Sequence, residues 1–240
     1  MLKKTKGIVL RRFSYGDNSK IAHIYTREFG KQSYLIFGGK SRKNKTDRLL
    51  QPMYVLDMQT YHKENRELHK IKEIGSEFAL KSIPFEFEKT AICQFLAELI
   101  NKTQRDNESD ELLFDFLQST VELLDDSSEK TANFSPAFMV KYSKFLGLLP
   151  ANNFSKSQNT LDLQSGRFIT GRPQHKNFLS GEAAYITNEL INLPFTDFSE
   201  ISIKKPVRSQ IITGFINYFN FHLNRPGKIN SLEILTDVFS

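Results

Sequence analysis

The feature that most restricts this chain is a change of hydrophobic period at Ser82-Ile83-Pro84. Before it, apolar residues come in short, strand-like runs; after it, they recur every three or four residues. Strands and helices segregated in this way describe an α+β chain, a β module followed by an all-α body. The boundary predicts a β domain over 1–80 and a helical domain over 81–240.

Upstream, Gly7–Phe13, Lys20–Tyr25 and Gln32–Phe37 are rich in β-branched and aromatic residues, and Tyr15–Asn18 and Glu28–Gly30 supply turns between them. Met53–Tyr61 and Glu67–Ile74 follow. In the last run Leu68, Ile71 and Ile74 break strict alternation, which calls for a bulge or a helical turn. Five short strands in about 75 residues make a small closed barrel, for which the OB-fold is the commonest answer and an SH3-like barrel the alternative.

Downstream, Phe87, Ala91, Phe95 and Leu99 form a helical stripe entered at Pro84. Ser109, as N-cap to Asp110 and Glu111, opens a second helix, and Ser135-Pro136 opens a third that runs to Gly147. Further helices are expected from Ser180, over Lys205–Leu223 and over Ser231–Phe239. Between the third and fourth, Thr160–Ile169 reads as a small hairpin turning at Ser165-Gly166. It lies in an insertion over 151–178, polar on both sides and predicted to protrude from the helical body.

Charge divides along the same line. Residues 1–80 hold 17 Lys and Arg against 8 Asp and Glu, whereas the remaining 160 hold 16 against 19, so the net +6 arises entirely from the first third. Its densest part is Gly38–Arg48, with five cations (Lys40, Arg42, Lys43, Lys45 and Arg48) against Asp47. It reads as a solvated loop on a β scaffold, suited to phosphates because each cation brought to a nucleic-acid backbone releases condensed counterions. Five of the eight tyrosines fall in this third, where aromatic platforms inside a cationic groove would stack bases of a single strand. Tyrosine is equally at home in ordinary strands.

Catalytic chemistry finds no foothold. The five histidines show no i, i+4 pairing on a helix and no companion cysteines. Cys93 lies on the apolar face of a helix and reads as a buried structural thiol. Gly38-Gly39-Lys40-Ser41 lacks the spacing of a triphosphate-binding loop. Glu64 with Glu67, and Asp125 with Asp126, sit in polar turn contexts as solvated carboxylates. No apolar run of membrane-spanning length exists, and the basic start Met1–Lys6 is not followed by an apolar stretch, so neither a membrane segment nor a signal peptide is expected. A single cysteine fits a reducing cytoplasm.

The order Gly7-Ile8-Val9-Leu10, Tyr15-Gly16-Asp17, Tyr25–Lys31, Gly38–Arg42 and Leu50-Gln51-Pro52-Met53 resembles the N-terminal barrel of the bacterial recombination-mediator RecO family. The helical part agrees in order through Ala97–Ile100, Glu111–Leu117, Lys144–Pro150 and Ile229–Leu235, so the resemblance covers essentially the whole chain. It implies a non-enzymatic, cytoplasmic and nucleoid-associated DNA-repair protein. Such a protein binds single- and double-stranded DNA, anneals strands, contacts RecR and the C-terminal tail of single-strand-binding protein, and helps load the recombinase. The positions matching the family's basic surface are Arg27, Lys31, Lys40, Arg42, Lys43, Lys45 and Arg48, with Tyr34 as a stacking candidate. Lys141, Lys144, Lys204, Lys205 and Arg208, near apolar stripes, are candidates for an acidic, aromatic-ended tail. Many family members carry four zinc-binding cysteines after the Leu-Gly-x-x-Pro segment; Ala151–His175 contains none, so no metal is expected and the loop is to be held by packing. An OB-type RNA binder, and a protein-interaction scaffold centred on the helical body, are the alternatives.

Overall fold

The computed structural model describes every residue except 17–18, 38–41, 64–65, 129–130, 225–226 and 240, and for 42–45 the backbone alone. The chain packs as two compact units, Met1–Asp126 and Ser127–Ser240. Packing therefore places the first two long helices with the barrel, although the hydrophobic period changes near residue 80.

In the first unit, β1 (Leu2–Tyr15), β2 (Ser19–Thr26), β3 (Gly30–Phe37), helix α1 (Arg42–Leu49), β4 (Val55–Tyr61) and β5 (Leu68–Ser76) follow in order. The strands close into a barrel, β1-β2-β3-β5-β4, in which the long β1 pairs with both β2 and β4, and β3 with β5 is the parallel contact. A bulge between Val9 and Arg11 bends β1 so that one strand serves both neighbours. This is the OB topology, with its helix between the third and fourth strands. The broken alternation of the fifth strand is absorbed by a register shift opposite Gln59 and Thr60, and no helical turn forms. Val9, Ala22, Ile24, Tyr34, Ile36, Leu56 and Met58 fill the interior.

The basic stretch read as a solvated loop is corrected from Arg42 onward, where it is helical. Lys and Arg lose little rotamer freedom in a helix, and the segment runs into Leu49-Leu50, of which Leu50 is fully buried in the barrel core. Arg12 donates to the Asp47 carbonyl at 2.6 Å, and Lys20 pairs with the Asp47 carboxylate. These two strand cations fasten the C-terminal end of α1, where a helix carries its partial negative charge.

Helices α2 (Phe87–Thr103) and α3 (Glu111–Asp126) complete the unit. The cap of α3 is Asp110 rather than Ser109: its Oδ1 accepts the Leu113 N–H at 3.0 Å. At the other end of α3, Asp125 accepts the backbone N–H groups of Lys81, Ser82 and Ile83 at 2.7–2.9 Å, so it is a structural acceptor and not a solvated carboxylate. Burial pushes the Cys93 thiol up to about 12, in keeping with a structural role.

In the second unit a short 3-10 turn, Thr131–Asn133, leads into α4 (Phe134–Tyr142). Strands β6 (Thr160–Asp162), β7 (Arg167–Ile169) and β8 (Phe178–Leu179) are followed by α5 (Glu182–Asn192), α6 (Lys205–Leu223) and α7 (Ser231–Val238). Ser135 lies inside α4 with its side chain buried, so it is not the cap, and the helix stops at Tyr142, before Gly147. The predicted hairpin forms but is no ornament. A third strand, β8, joins it in the order β7-β6-β8, and Leu161, Leu163, Phe168 and Leu179 are buried. His222 of α6 lies 3.1 Å from the Leu163 carbonyl, and a Cβ at Gly166, which sits at φ +67°, would come within 2.5 Å of the Tyr218 hydroxyl. Among the described residues no helix is long and apolar enough to cross a membrane.

Candidate nucleic-acid interface

Strand alternation divides β1, β2 and β3 into an inner face, which carries Ala22, Ile24, Tyr34 and Ile36, and an outer face. Register then builds rows across the outer face. Tyr15 pairs with Ser19 and Ser19 with Phe37; Phe13 pairs with Ile21, Ile21 with Leu35 and Leu35 with Lys70; Arg11 pairs with His23 and His23 with Ser33. Phe13, Tyr15 and Phe37 are 38%, 53% and 57% exposed, which is high for aromatic rings on a barrel. Two of them lie under cations: the Arg11 guanidinium is 5.8 Å from the Phe13 ring centre and the Lys70 ammonium 5.5 Å from that of Phe37. The face thus offers π surfaces flanked by positive charge at the strand ends that lead toward the basic segment.

The other half of the same outer face is closed. The connection between α2 and α3 lies along β3, where Asn107 donates its N–H to the Lys31 carbonyl at 3.1 Å and the Gln32 side chain donates to Asn107 at 2.9 Å. Tyr25 is fully buried beneath it, its hydroxyl accepting the Asp110 N–H at 3.1 Å, and burial pushes that phenol up to about 12. The close approach depends on Gly30, at φ +64°, because a Cβ there would meet the Glu108 carbonyl oxygen at 2.1 Å.

The residues expected to contact DNA are dispersed by this arrangement. Arg27 and Lys31 stand at the closed end of β3, and the basic segment begins at the open end, about 23 Å away along an eight-residue strand. The Arg27 guanidinium forms a two-pronged bond with Asp115, at 3.1 and 3.3 Å, and an ion pair with Glu111 at 2.9 Å. Lys31 is 11% exposed; its ammonium donates to the carbonyls of Asn101 and Gln104 at 2.9 and 2.7 Å and pairs with Asp106 at 3.2 Å. It satisfies the orphan carbonyls at the end of α2, so the reading of Lys31 as a phosphate contact is corrected. Tyr34 is corrected too: it is fully buried in the barrel core, where no base could stack on it, and burial raises its phenol pKa. Arg48 is exposed on α1. Lys40 lies outside the described residues, as do the side chains of Arg42, Lys43 and Lys45, whose backbone forms the start of α1.

Sequence reading missed Arg11, Phe13, Phe37 and Lys70. A signal existed in the phenylalanines at strand ends beside turns, but which parity faces outward depends on the β1 bulge and on register.

The candidates in the second unit also separate. Lys141 donates to the Ile191 carbonyl at 2.9 Å, and burial lowers its pKa; Lys204 lies 4.0 Å from Glu182. Lys144 is exposed. Lys205 and Arg208 come together, lining a cavity of about 250 Å³ with Ile212, Leu232, Leu235 and Phe239. Arg208 is held by the Ile203 carbonyl at 2.7 Å, and the buried Ser135 hydroxyl, which also lines the cavity, has no hydrogen-bond partner among the described residues.

Two family models match the chain, one described as recombination protein O N terminal over residues 1–76 and one as recombination protein O C terminal over 84–232. The chain belongs to the RecO family. It is 32% identical to the DNA repair protein RecO of Azobacteroides pseudotrichonymphae genomovar. CFP2 and 30% identical to those of Phocaeicola vulgatus and Bacteroides fragilis, in each case over the full length of both chains. The RecO resemblance read from the barrel and helical motifs is thus confirmed, and with it the assignment to DNA repair.

A zinc ion does not fit the residues of the β6–β8 region. Asp162 and His175 are 3.3 Å apart and pair with each other, and among the described residues no group of three or more His, Cys, Asp or Glu could hold a metal. Hydrogen bonds brace the region: Asn153 donates to the Phe168 carbonyl at 2.8 Å and accepts its N–H at 3.0 Å, bonding both backbone groups as a neighbouring strand would. Asp162 closes the turn by accepting from Gln164 N–H and the Ser165 hydroxyl at 2.8 and 2.7 Å.

Proposed function

We propose that the open half of the β1-β2-β3 face, with Arg48 and the basic segment beginning at Lys40, binds single-stranded DNA, and that the protein works in repair as a cytoplasmic, nucleoid-associated recombination mediator without bond chemistry of its own. The observation that carries this reading is the pairing of exposed Phe13 and Phe37 with Arg11 and Lys70. A base stacks on the ring while a neighbouring cation meets the phosphate, which suits a flexible strand better than a duplex whose bases are already stacked. Annealing then requires two backbones held close with their repulsion screened, a task for a cationic surface. Duplex DNA would be met through phosphates alone.

The test is fluorescence anisotropy of labelled single-stranded DNA across salt. Phe13→Ala with Phe37→Ala is expected to weaken binding by about 1–3 kcal/mol per ring and to leave the salt slope unchanged. Changing Lys40, Arg42, Lys43 and Lys45 to Ala is expected to flatten the slope by about 3 units, at ~0.7 per single-strand phosphate contact. Wild-type affinity and slope in both variants would refute the assignment, and tighter competition by RNA than by DNA of the same sequence would favour an RNA-binding module.

A second reading concerns the other unit. The cavity beside Lys205 and Arg208, lined by Ile212, Leu232, Leu235 and Phe239 and by a Ser135 hydroxyl without a partner among the described residues, supports docking of the acidic, aromatic-ended tail of single-strand-binding protein. Arg208→Ala should abolish binding of a tail peptide at low salt while leaving DNA affinity intact; unchanged peptide binding would remove this site. RecR remains a proposed partner on family grounds, as does loading of the recombinase.

A further inference from the structure

Arg27 presents an unusual combination. Its guanidinium fork is engaged as a phosphate would engage it, with two hydrogen bonds to one carboxylate and an ion pair to another, yet the side chain is 34% exposed and its partners Glu111 and Asp115 are 61% and 55% exposed. The two acids are four residues apart in the first turns of α3 and so share a face. Their mutual repulsion is offset by Arg27 and by the positive end of the helix. Exposed pairs of this kind are weak and salt-sensitive, so a backbone phosphate can compete for the same fork.

Position gives the contact its consequence. Arg27 lies at the closed end of the sheet, where the α2–α3 connection covers Tyr25 and Lys31 is committed to the end of α2. Arg27 is thus a partly exposed cation at the closed end, and it is held by acids. We infer that Glu111 and Asp115 set the affinity and the boundary of the DNA surface, occupying the Arg27 fork in place of a phosphate so that a bound strand ends on the open half. The inference rests on the DNA-binding reading above.

A double-mutant cycle tests it on the full chain, with the same labelled single strand across salt. Freeing Arg27 adds one phosphate contact, so Glu111→Gln with Asp115→Asn should steepen the slope by about 0.7 and, taking 1 M salt as the reference, tighten binding about eightfold at 50 mM. Arg27→Ala should change wild-type binding by less than about twofold but erase the gain in the doubly substituted background. Asp115→Asn alone, which leaves Glu111 to hold Arg27 to α3, should shift affinity in the same direction and serves if the double variant melts early. An affinity gain that survives Arg27→Ala would mean only general relief of repulsion and would overturn the inference. So would a loss of about 0.7 of slope on Arg27→Ala in the wild type, because Arg27 would then already hold a phosphate. Wild-type protein that shows no salt-dependent DNA binding would instead bring down the DNA reading itself, a result distinct from wild-type protein that binds while the Glu111 and Asp115 variant matches it.

Discussion

Replacing Lys31 with Met separates a structural cation from a DNA-binding one. The substitution keeps much of the apolar stem and removes an ammonium that donates to two α2 carbonyls and pairs with Asp106. Hydrogen bonds from a charged donor contribute roughly 1.5–3 kcal/mol each, and carbonyls left unsatisfied in a mostly buried site add a desolvation cost. Part is recovered, because the ammonium no longer has to be desolvated and water can reach the rim near Asp106, which is 76% exposed. The net expectation is a loss of about 2–4 kcal/mol in unfolding free energy of the barrel unit. The assay is urea denaturation followed by far-ultraviolet circular dichroism, with the slope m compared to establish that the unfolded states match. In parallel, DNA anisotropy below the transition should show unchanged affinity and salt slope. A variant as stable as the wild type that loses about 0.7 of slope would refute the reasoning, since Lys31 would then be spending its charge on phosphate.

Burial pushes the Asp125 carboxyl up, but the N–H groups of Ile83, Lys81 and Ser82 outweigh it and hold its pKa below the ordinary value. A depressed folded pKa gives stability that is present above the unfolded value near 4 and lost as pH falls through the folded one, so denaturation below about pH 4 should show an acid limb that Asp125→Asn flattens. Gly30→Ala is expected to destabilise by more than about 2 kcal/mol, since it combines positive φ with a backbone clash at Glu108; a wild-type melting curve would contradict this. A metal chelator should leave the thermal transition unmoved, whereas Asn153→Ala should cost about 1–3 kcal/mol by stripping both hydrogen bonds from Phe168. One stoichiometric zinc in purified protein would overturn the first half of that expectation.

Some elements of the site could be read before any coordinates, and others could not. The strand and helix segments, the OB class and the bounds of α6 follow from local periodicity, since which residues can share a buried face is a short-range property. The surplus charge of the first third, and the missing cysteines of the β6–β8 region, are matters of composition and needed no fold. The helix at Arg42–Leu49 was not legible, because the segment has no apolar residue before Leu49 and what holds it is Leu50 in the barrel and Arg12 and Lys20 at its far end. Nor was the packing of the β6–β8 sheet, whose buried residues meet partners distant in sequence.

The kinds of element in this protein, and the place along the chain where its charge is concentrated, are written in local runs of residues. Which of those charges face solvent depends on packing. Lys31 and Arg27 look like Lys40 and Arg48 on paper, and Tyr34 is as plausible a stacking ring as Phe37. Register turns Tyr34 inward and Phe37 outward, and the α2–α3 connection brings carbonyls and carboxylates to cations that are 70 to 88 residues away in the chain. Side-chain alternation has a period of two, so a one-residue change of parity exchanges core for surface, and that parity is fixed by pairing across the closed barrel.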